Sequence, residues 1–248
     1  MEKQKVVIVL PAYNAAQTLE KTYHDIPPKY RAYVLLVDDF SRDETARVAQ
    51  ELKITVVKHT QNLGYGGNQK TCYREALKMG ADIVIMIHPD YQYDPKLIPA
   101  MVEMINSGNY DCILGSRIID GNAIKGGMPV YKYIFNRFLT LIENIFTGAK
   151  VSEYHTGLRA YTADVLKNIN FESNSNDFIF DNQVLLQILA HSYRIGEISC
   201  PCKYFAEASS INFVRSSIYG IGCIYWGFIY LLARLNFYKH PLLFKTKK

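Results

Sequence analysis

Apolar runs rich in β-branched residues recur through the first half of the chain, at Val6–Leu10, Tyr33–Val37, Ile54–Val57, Ile83–Ile87 and Cys112–Leu114. Between them, apolar positions return at helical spacing near Ala16–His24, Asp43–Leu52, Asn68–Met79 and Pro95–Ser107. Ser41 and Asp43 stand where caps for one of these helices belong, and Asp94 before Pro95 marks the start of another. Short buried runs alternating with helices predict an α/β fold, a Rossmann-like and mostly parallel sheet covered by helices on both faces. Ligand sites in such a sheet lie at the carboxyl ends of the strands.

The second half is less regular. A helical pattern covers Tyr131–Phe146, a loop runs through Glu153–Gly157, a further helix falls near Asp181–His191, and a strand pair is expected at Tyr193–Ser199 and Lys203–Phe205. From Ser216 to Ala233 the chain carries 18 residues without a charge, followed by Arg234, Lys239, His240, Lys245, Lys247 and Lys248. Drawn as a helix this C-terminal segment is apolar on every side, so it must be buried in something. It is at the short edge of the roughly 20 residues that span a bilayer, and it contains three glycines. Its tyrosines, its tryptophan and the trailing basic residues predict a helix at a membrane interface or an oligomer contact. The expected organisation is one domain in two halves, 1–120 and 121–212, followed by the apolar helix with its basic tail over 213–248.

The chain of 248 residues, 49% hydrophobic and 21% charged, has ample material for one large core. Its net charge of +5 is spread without a basic stripe, which argues against nucleic-acid binding and fits phosphate-bearing ligands or an anionic membrane surface. Five cysteines, an odd number with no Cys-x-x-Cys pair, predict free thiols in a reducing compartment. The charged N-terminus leads straight into the first strand, so no signal peptide is expected and the predicted location is cytoplasmic.

The strand ends carry the chemistry. Asp38 and Asp39 follow the second run, one placed to accept from a nucleoside and the other to hold a turn. Asn62-Leu63-Gly64-Tyr65-Gly66-Gly67 opens a helix that carries Lys70 and Arg74, where glycines allow close backbone approach and a helix N-terminus offers N–H groups to an anion. After the fourth run comes His88-Pro89-Asp90-Tyr91-Gln92. If that segment stays extended, His88, Asp90 and Gln92 share a face. Their carboxylate and amide oxygens suit Mg²⁺ or Mn²⁺, and imidazole suits Mn²⁺ better than Mg²⁺. Gly115-Ser116-Arg117 ends the fifth run with a guanidinium that matches phosphate, and Lys132 and Arg137 follow it.

Taken in order, Pro11-Ala12-Tyr13-Asn14, the Asp38-Asp39-x-Ser41-x-Asp43 stretch, Asn62-x-Gly64-x-Gly66, the strand end at 88–92 and Gly115-Ser116-Arg117 resemble family 2 glycosyltransferases. The likeness is greatest to the branch of dolichol-phosphate mannose synthase and polyprenyl-phosphate sugar transferases. The resemblance implies a GT-A fold, a nucleotide-diphosphate sugar donor, a divalent metal and transfer with inversion. It places Pro11, Tyr13, Asn14, Asp38, Asp39, Asn62, Gly64, Gly66 and His88 around the nucleotide, and Asp90 and Gln92 on the metal. Arg117 meets phosphate in this reading, and Asp90, Arg117 and Asp181 form the catalytic group. The family usually writes Asp-x-Asp-x-Gln, and His88 replaces its first carboxylate. The acceptor is expected to be a polyprenyl phosphate at the inner membrane face, oriented by Arg117, Lys132 and Arg159. The alternatives are a saccharide hydroxyl, with Asp181 or secondarily Asp177 as general base, or a nucleotide-sugar-binding module without turnover. Tyr204, Ala208-Ser209-Ser210 and Asn212 through Arg215 are expected to form a loop over the diphosphate.

Overall fold

Val7 and Val9 face one apolar cluster while Ile8 and Leu10 face another, because successive side chains of a strand point to opposite sides. The same division separates Leu35 and Val37 from Val34 and Leu36, and Val84 and Met86 from Ile83 and Ile85. Both faces of the sheet are therefore core, which is why these strands read as unbroken apolar runs.

The computed structural model describes residues 4–201 and 213–244. Its strands are β1 Val6–Ala12, β2 Val34–Asp38, β3 Thr55–Lys58, β4 Ile83–Met86, β5 Cys112–Ser116, β6 Arg159–Thr162 and β7 Ile195–Ser199. Its helices are α1 Ala16–Asp25, α2 Thr45–Glu51, α3 Tyr65–Lys78, α4 Ile98–Asn106, α5 Val130–Thr147, α6 Ala163–Asn168, α7 Phe180–Ala190 and α8 Phe213–Arg234. The strands form one sheet in the order β3-β2-β1-β4-β6-β5-β7, parallel except for β6, which pairs antiparallel with both β4 and β5. This is the GT-A arrangement that the sequence implies. The expected strand at 203–205, the loop residues Tyr204, Ala208, Ser209, Ser210 and Asn212, and Cys202 lie outside the described residues.

The inserted strand β6 is absent from the sequence expectation. Being antiparallel, it places its start beside the end of β4, with Met86 paired to Arg159. The loop that precedes it, His155–Gly157, is thereby brought to the functional edge of the sheet.

Two local expectations change. Ser41 does not cap α2; its hydroxyl accepts from the Asn14 amide, and Asp43 accepts from the Thr45 amide at the true helix start. Asp94 does hold the amide of Lys96. The segment after β4 is not extended: it turns at Pro89–Asp90, Asp90 accepts from the Gln92 amide at 3.1 Å, and Tyr91 takes a φ of +60°.

Helix α5 is inverted. It buries Asn136, Thr140, Glu143 and Thr147 and exposes Tyr131, Ile134, Phe138, Leu141 and Ile145, a stripe at 3- and 4-residue spacing. Helix α8 packs along α5 and α7 and exposes Ile218, Ile221, Tyr225 and Phe228. Its three glycines are the contact points: a Cβ on Gly220 would stand 2.6 Å from the Phe135 ring, one on Gly227 2.9 Å from the Phe146 ring, and one on Gly222 3.0 Å from Ile179.

Candidate active site

Two cavities meet at the carboxyl edge of the sheet. The larger, about 740 Å³, is lined by Pro11, Tyr13, Asn14, Asp39, Asn62 and Gly64, together with the Ser175–Phe178 segment. The smaller, about 470 Å³, is lined by Gln92, Arg117, Lys132, His155, Asp181 and Tyr219. Tyr65, His88, Asp90, Phe178 and Arg215 line both. The structure thus brings together most of the residues singled out from sequence, and it divides them between two compartments. Despite the turn, Asp90 and Gln92 both reach the smaller cavity.

Asp39 is nearly buried and shapes the larger cavity by organising the loop after β3. It accepts from the Leu63 amide at 2.8 Å and the Gly64 amide at 3.0 Å, and it meets His59 Nδ1 at 2.7 Å. A carboxylate offers about four acceptor positions, so one remains for a ligand. Asp38 holds the amide of Ser41 at 3.1 Å and is the turn-forming member of the pair. Asn62 donates to the Asp39 carbonyl and accepts from the Gly64 amide.

The glycines of this loop answer a close approach by the 175–180 segment. Gly64 has a φ of +85°, and a Cβ there would stand 2.7 Å from the Asn176 carbonyl. A Cβ on Gly66 would meet Phe180 at 2.7 Å and the Ser175 carbonyl closer still. The amides of Gly66 and Gly67 both donate to the Asn176 carbonyl, so the N-terminus of α3 spends on the protein the N–H groups that its sequence offered to an anion.

At the junction of the cavities stands a chain that the sequence did not announce. Tyr65 donates its hydroxyl proton to Asp181 Oδ2 at 2.6 Å and lies 3.0 Å from His88 Nε2. A phenol has one proton, so His88 must donate to the Tyr65 oxygen through Nε2, leaving Nδ1 as the acceptor. Burial holds the Tyr65 phenol well above its ordinary pKa, and the Asp181 carboxylate pushes in the same direction, so the hydroxyl stays protonated. Burial likewise lowers His88 below its ordinary value, against the upward pull of Asp90 and Asp181, and keeps the ring neutral at pH 7. Gly157 exists to admit this ring: a Cβ there would stand 2.7 Å from His88 Cδ2. Sequence reasoning missed the roles of Tyr65 and Gly157; the one available signal was an aromatic hydroxyl placed between conformationally special glycines.

Of the cations expected near the acceptor, Arg117 and Lys132 line the smaller cavity and Arg159 does not. Arg117 donates through its backbone amide to Glu153 Oε2 at 2.7 Å and through Nε to Glu153 Oε1 at 2.9 Å, and its Nη2 donates to the same oxygen and to the His155 carbonyl. Burial alone would raise Glu153, but the Arg117 charge and hydrogen bonds, with Asn136, hold it below its ordinary range. Arg159 is fully buried and clamps the carbonyls of Thr156, Asp181 and Tyr154, so it cannot orient an acceptor. Lys132 and Arg215 do line the smaller cavity, and burial lowers the Lys132 pKa, with Arg117 adding to the effect. Asp177 lines the larger cavity, not the smaller one, and accepts from the Phe178 amide.

This sheet order and paired cleft define a GT-A glycosyltransferase. The model of glycosyl transferase family 2 matches residues 7–169, and the chain belongs to that family. It is 26% identical to a UDP-N-acetylglucosamine–dolichyl-phosphate N-acetylglucosaminyltransferase of Methanococcus voltae, over 80% of this chain and 85% of that one. It is 27% identical to an undecaprenyl-phosphate mannosyltransferase of Micrococcus luteus, over 78% and 82%. Glucosyl-3-phosphoglycerate synthase from Mycobacterium tuberculosis, solved with uridine diphosphate, shares the fold with a TM-score of 0.71 at 18% identity, over 95% of this chain and 82% of that one.

Proposed function

We propose that this glycosyltransferase takes a sugar from a nucleoside-diphosphate donor held in the larger cavity and transfers it, with inversion, to a polyprenyl phosphate that enters the smaller one. The observation that carries the reading is the double character of α5 and α8. The helices that present Lys132, Asn136, Arg215 and Tyr219 to the smaller cavity present Ile134, Phe138, Ile218 and Ile221 to solvent. A ligand that is anionic at one end and hydrocarbon at the other matches both surfaces. The helix Arg215–Arg234 is long and apolar enough to cross a membrane by length and composition. Its packing along α5 and α7 favours lying in the interface with α5, at the cytoplasmic face.

A phosphate acceptor is already an anionic nucleophile and needs no general base. Asp181, the base that a saccharide acceptor would require, accepts from the Tyr65 hydroxyl at Oδ2, which stands 3.8 Å from Arg159. In the transfer, a phosphate oxygen forms its bond to the anomeric carbon as the bond to the nucleoside diphosphate breaks on the opposite face. Lys132 and Arg215 supply positive charge around the entering phosphate, and Asp39 with the Pro11–Asn14 wall holds the nucleoside.

Asp90, Gln92 and the Nδ1 of His88 are a fitting donor set for a divalent ion, and the imidazole tilts it toward Mn²⁺. Such an ion, when bound, neutralises charge on the diphosphate. The fold relative from Mycobacterium tuberculosis has been solved with Mn²⁺ and UDP-glucose.

The test is a screen of uridine- and guanosine-diphosphate sugars against a polyprenyl phosphate and against saccharides, reading nucleoside-diphosphate release. The expected result is release that depends on the lipid phosphate and is lost in Asp90→Asn. Release with saccharides alone overturns the reading.

A further inference from the structure

Glu143 on α5, His155 in the loop before β6 and Cys223 on α8 come from three separate elements, yet their ligand atoms lie within 4.8 Å of one another. Glu143 and Cys223 are completely buried, and the His155 side chain is 9% exposed. Glu143 Oε2 and His155 Nε2 are 3.2 Å apart, but neither makes a hydrogen bond, with the other or with any other group among the described residues. A separation of that size is about the edge of a tetrahedron whose centre is some 2 Å from each ligand.

The other atoms of these side chains are already held. Asn182 donates to Glu143 Oε1. The Tyr219 hydroxyl lies 2.8 Å from His155 Nδ1. With Nδ1–H donating to the Tyr219 oxygen, the lone pair of Nε2 is left facing the carboxylate. Outer groups that fix the tautomer of a histidine and the rotamer of a carboxylate are what a metal ligand requires.

We infer that Glu143, His155 and Cys223 form a transition-metal site, for Zn²⁺ by chemical class, that fastens α8 to α5 and to the loop beside the smaller cavity. A thiolate, an imidazole and a carboxylate suit Zn²⁺ and disfavour Mg²⁺ and Mn²⁺, so the site is distinct from Asp90 and Gln92. On binding, the Cys223 thiol releases its proton to solvent as the sulfur–metal bond forms. Two anionic ligands and a dication then sum to zero, which removes the penalty of a buried, unmatched carboxylate. A solvent molecule completes four-coordination.

The test uses Co²⁺ as a spectroscopic substitute, titrated into the full chain after chelator treatment. The expected result is one equivalent bound with thiolate-to-cobalt absorption, displaced by Zn²⁺, retained in Asp90→Asn and lost in Cys223→Ser. Absence of the absorption in the parent chain, or its persistence in Cys223→Ser, overturns the inference, and leaves Glu143 and His155 as a plain ion pair. Should Cys223→Ser fail to give a native circular-dichroism spectrum, Tyr219→Phe decides. It removes only the outer hydroxyl and should weaken Co²⁺ binding by roughly 10- to 100-fold, and an unchanged affinity overturns the inference.

Discussion

The imidazole of His88 lies so close to Gly157 that a Cβ there would stand 2.7 Å from its Cδ2 and 3.1 Å from its Nε2. Two segments 69 positions apart in the sequence are thereby fitted to each other at the junction of the two cavities. Gly157→Ala should push the ring off its contact with Tyr65 while leaving the sheet intact. A displacement of about 1 Å at a reacting centre can lower turnover by about a hundredfold. Steady-state nucleoside-diphosphate release should fall on that scale, with a melting temperature close to that of the parent chain.

Tyr65→Phe removes a single oxygen and leaves two atoms without that hydrogen bond, Asp181 Oδ2 and His88 Nε2. Asp181 Oδ1 already makes no hydrogen bond among the described residues. Leaving a buried polar group unsatisfied costs about 1–3 kcal/mol. Chemical denaturation should show a loss of that size, and transferase activity should drop with it. An unchanged midpoint would remove Tyr65 from the account.

The pH dependence of stability follows from His88. Its folded pKa is lowered from 6.5, first by burial, so the unfolded chain takes up this proton more readily than the folded one. The stability linked to the group is present above 6.5 and is lost as pH falls from 6.5 through the folded value. Denaturant melts between about pH 8 and about pH 5 should show a steeper acid loss in the parent chain than in His88→Gln. Equal slopes would contradict this assignment.

The outward stripe of α5 and α8 predicts binding to anionic lipid vesicles. Ile221 is 69% exposed and Ile134 61% exposed, so an aspartate at either position disturbs no packing. Withdrawing one such side chain from hydrocarbon forfeits about 1.5–3 kcal/mol, roughly tenfold or more in partitioning. Co-sedimentation with vesicles should weaken by that factor in Ile221→Asp, and again in the double variant with Ile134→Asp.

Most of the strands and helices were legible because both faces of the sheet are buried, which writes continuous apolar runs into the sequence. Strand β6 was not, since Arg159-Ala160-Tyr161-Thr162 is short and mixed, and its pairing with β4 and β5 is a long-range fact. The strand ends that line the cleft could be read for the same reason as the strands. What could not be read was which groups the protein keeps for itself. The glycines at 64 and 66 are explained by Ser175 and Asn176, more than a hundred residues away, and the guanidinium of Arg117 by Glu153. Only three-dimensional proximity shows that Glu153 holds the Arg117 guanidinium at the edge of the smaller cavity.

The antiparallel insertion of β6 also dictates an order of assembly. β4 and β5 each lean on it, so a nascent chain that ends near residue 120 holds both with raw hydrogen-bonding margins and no bridge between them. Residues 159–162 must leave the ribosome before the two halves of the sheet can be stitched together, and the first 120 residues expressed by themselves should aggregate rather than yield a small, separable nucleotide binder.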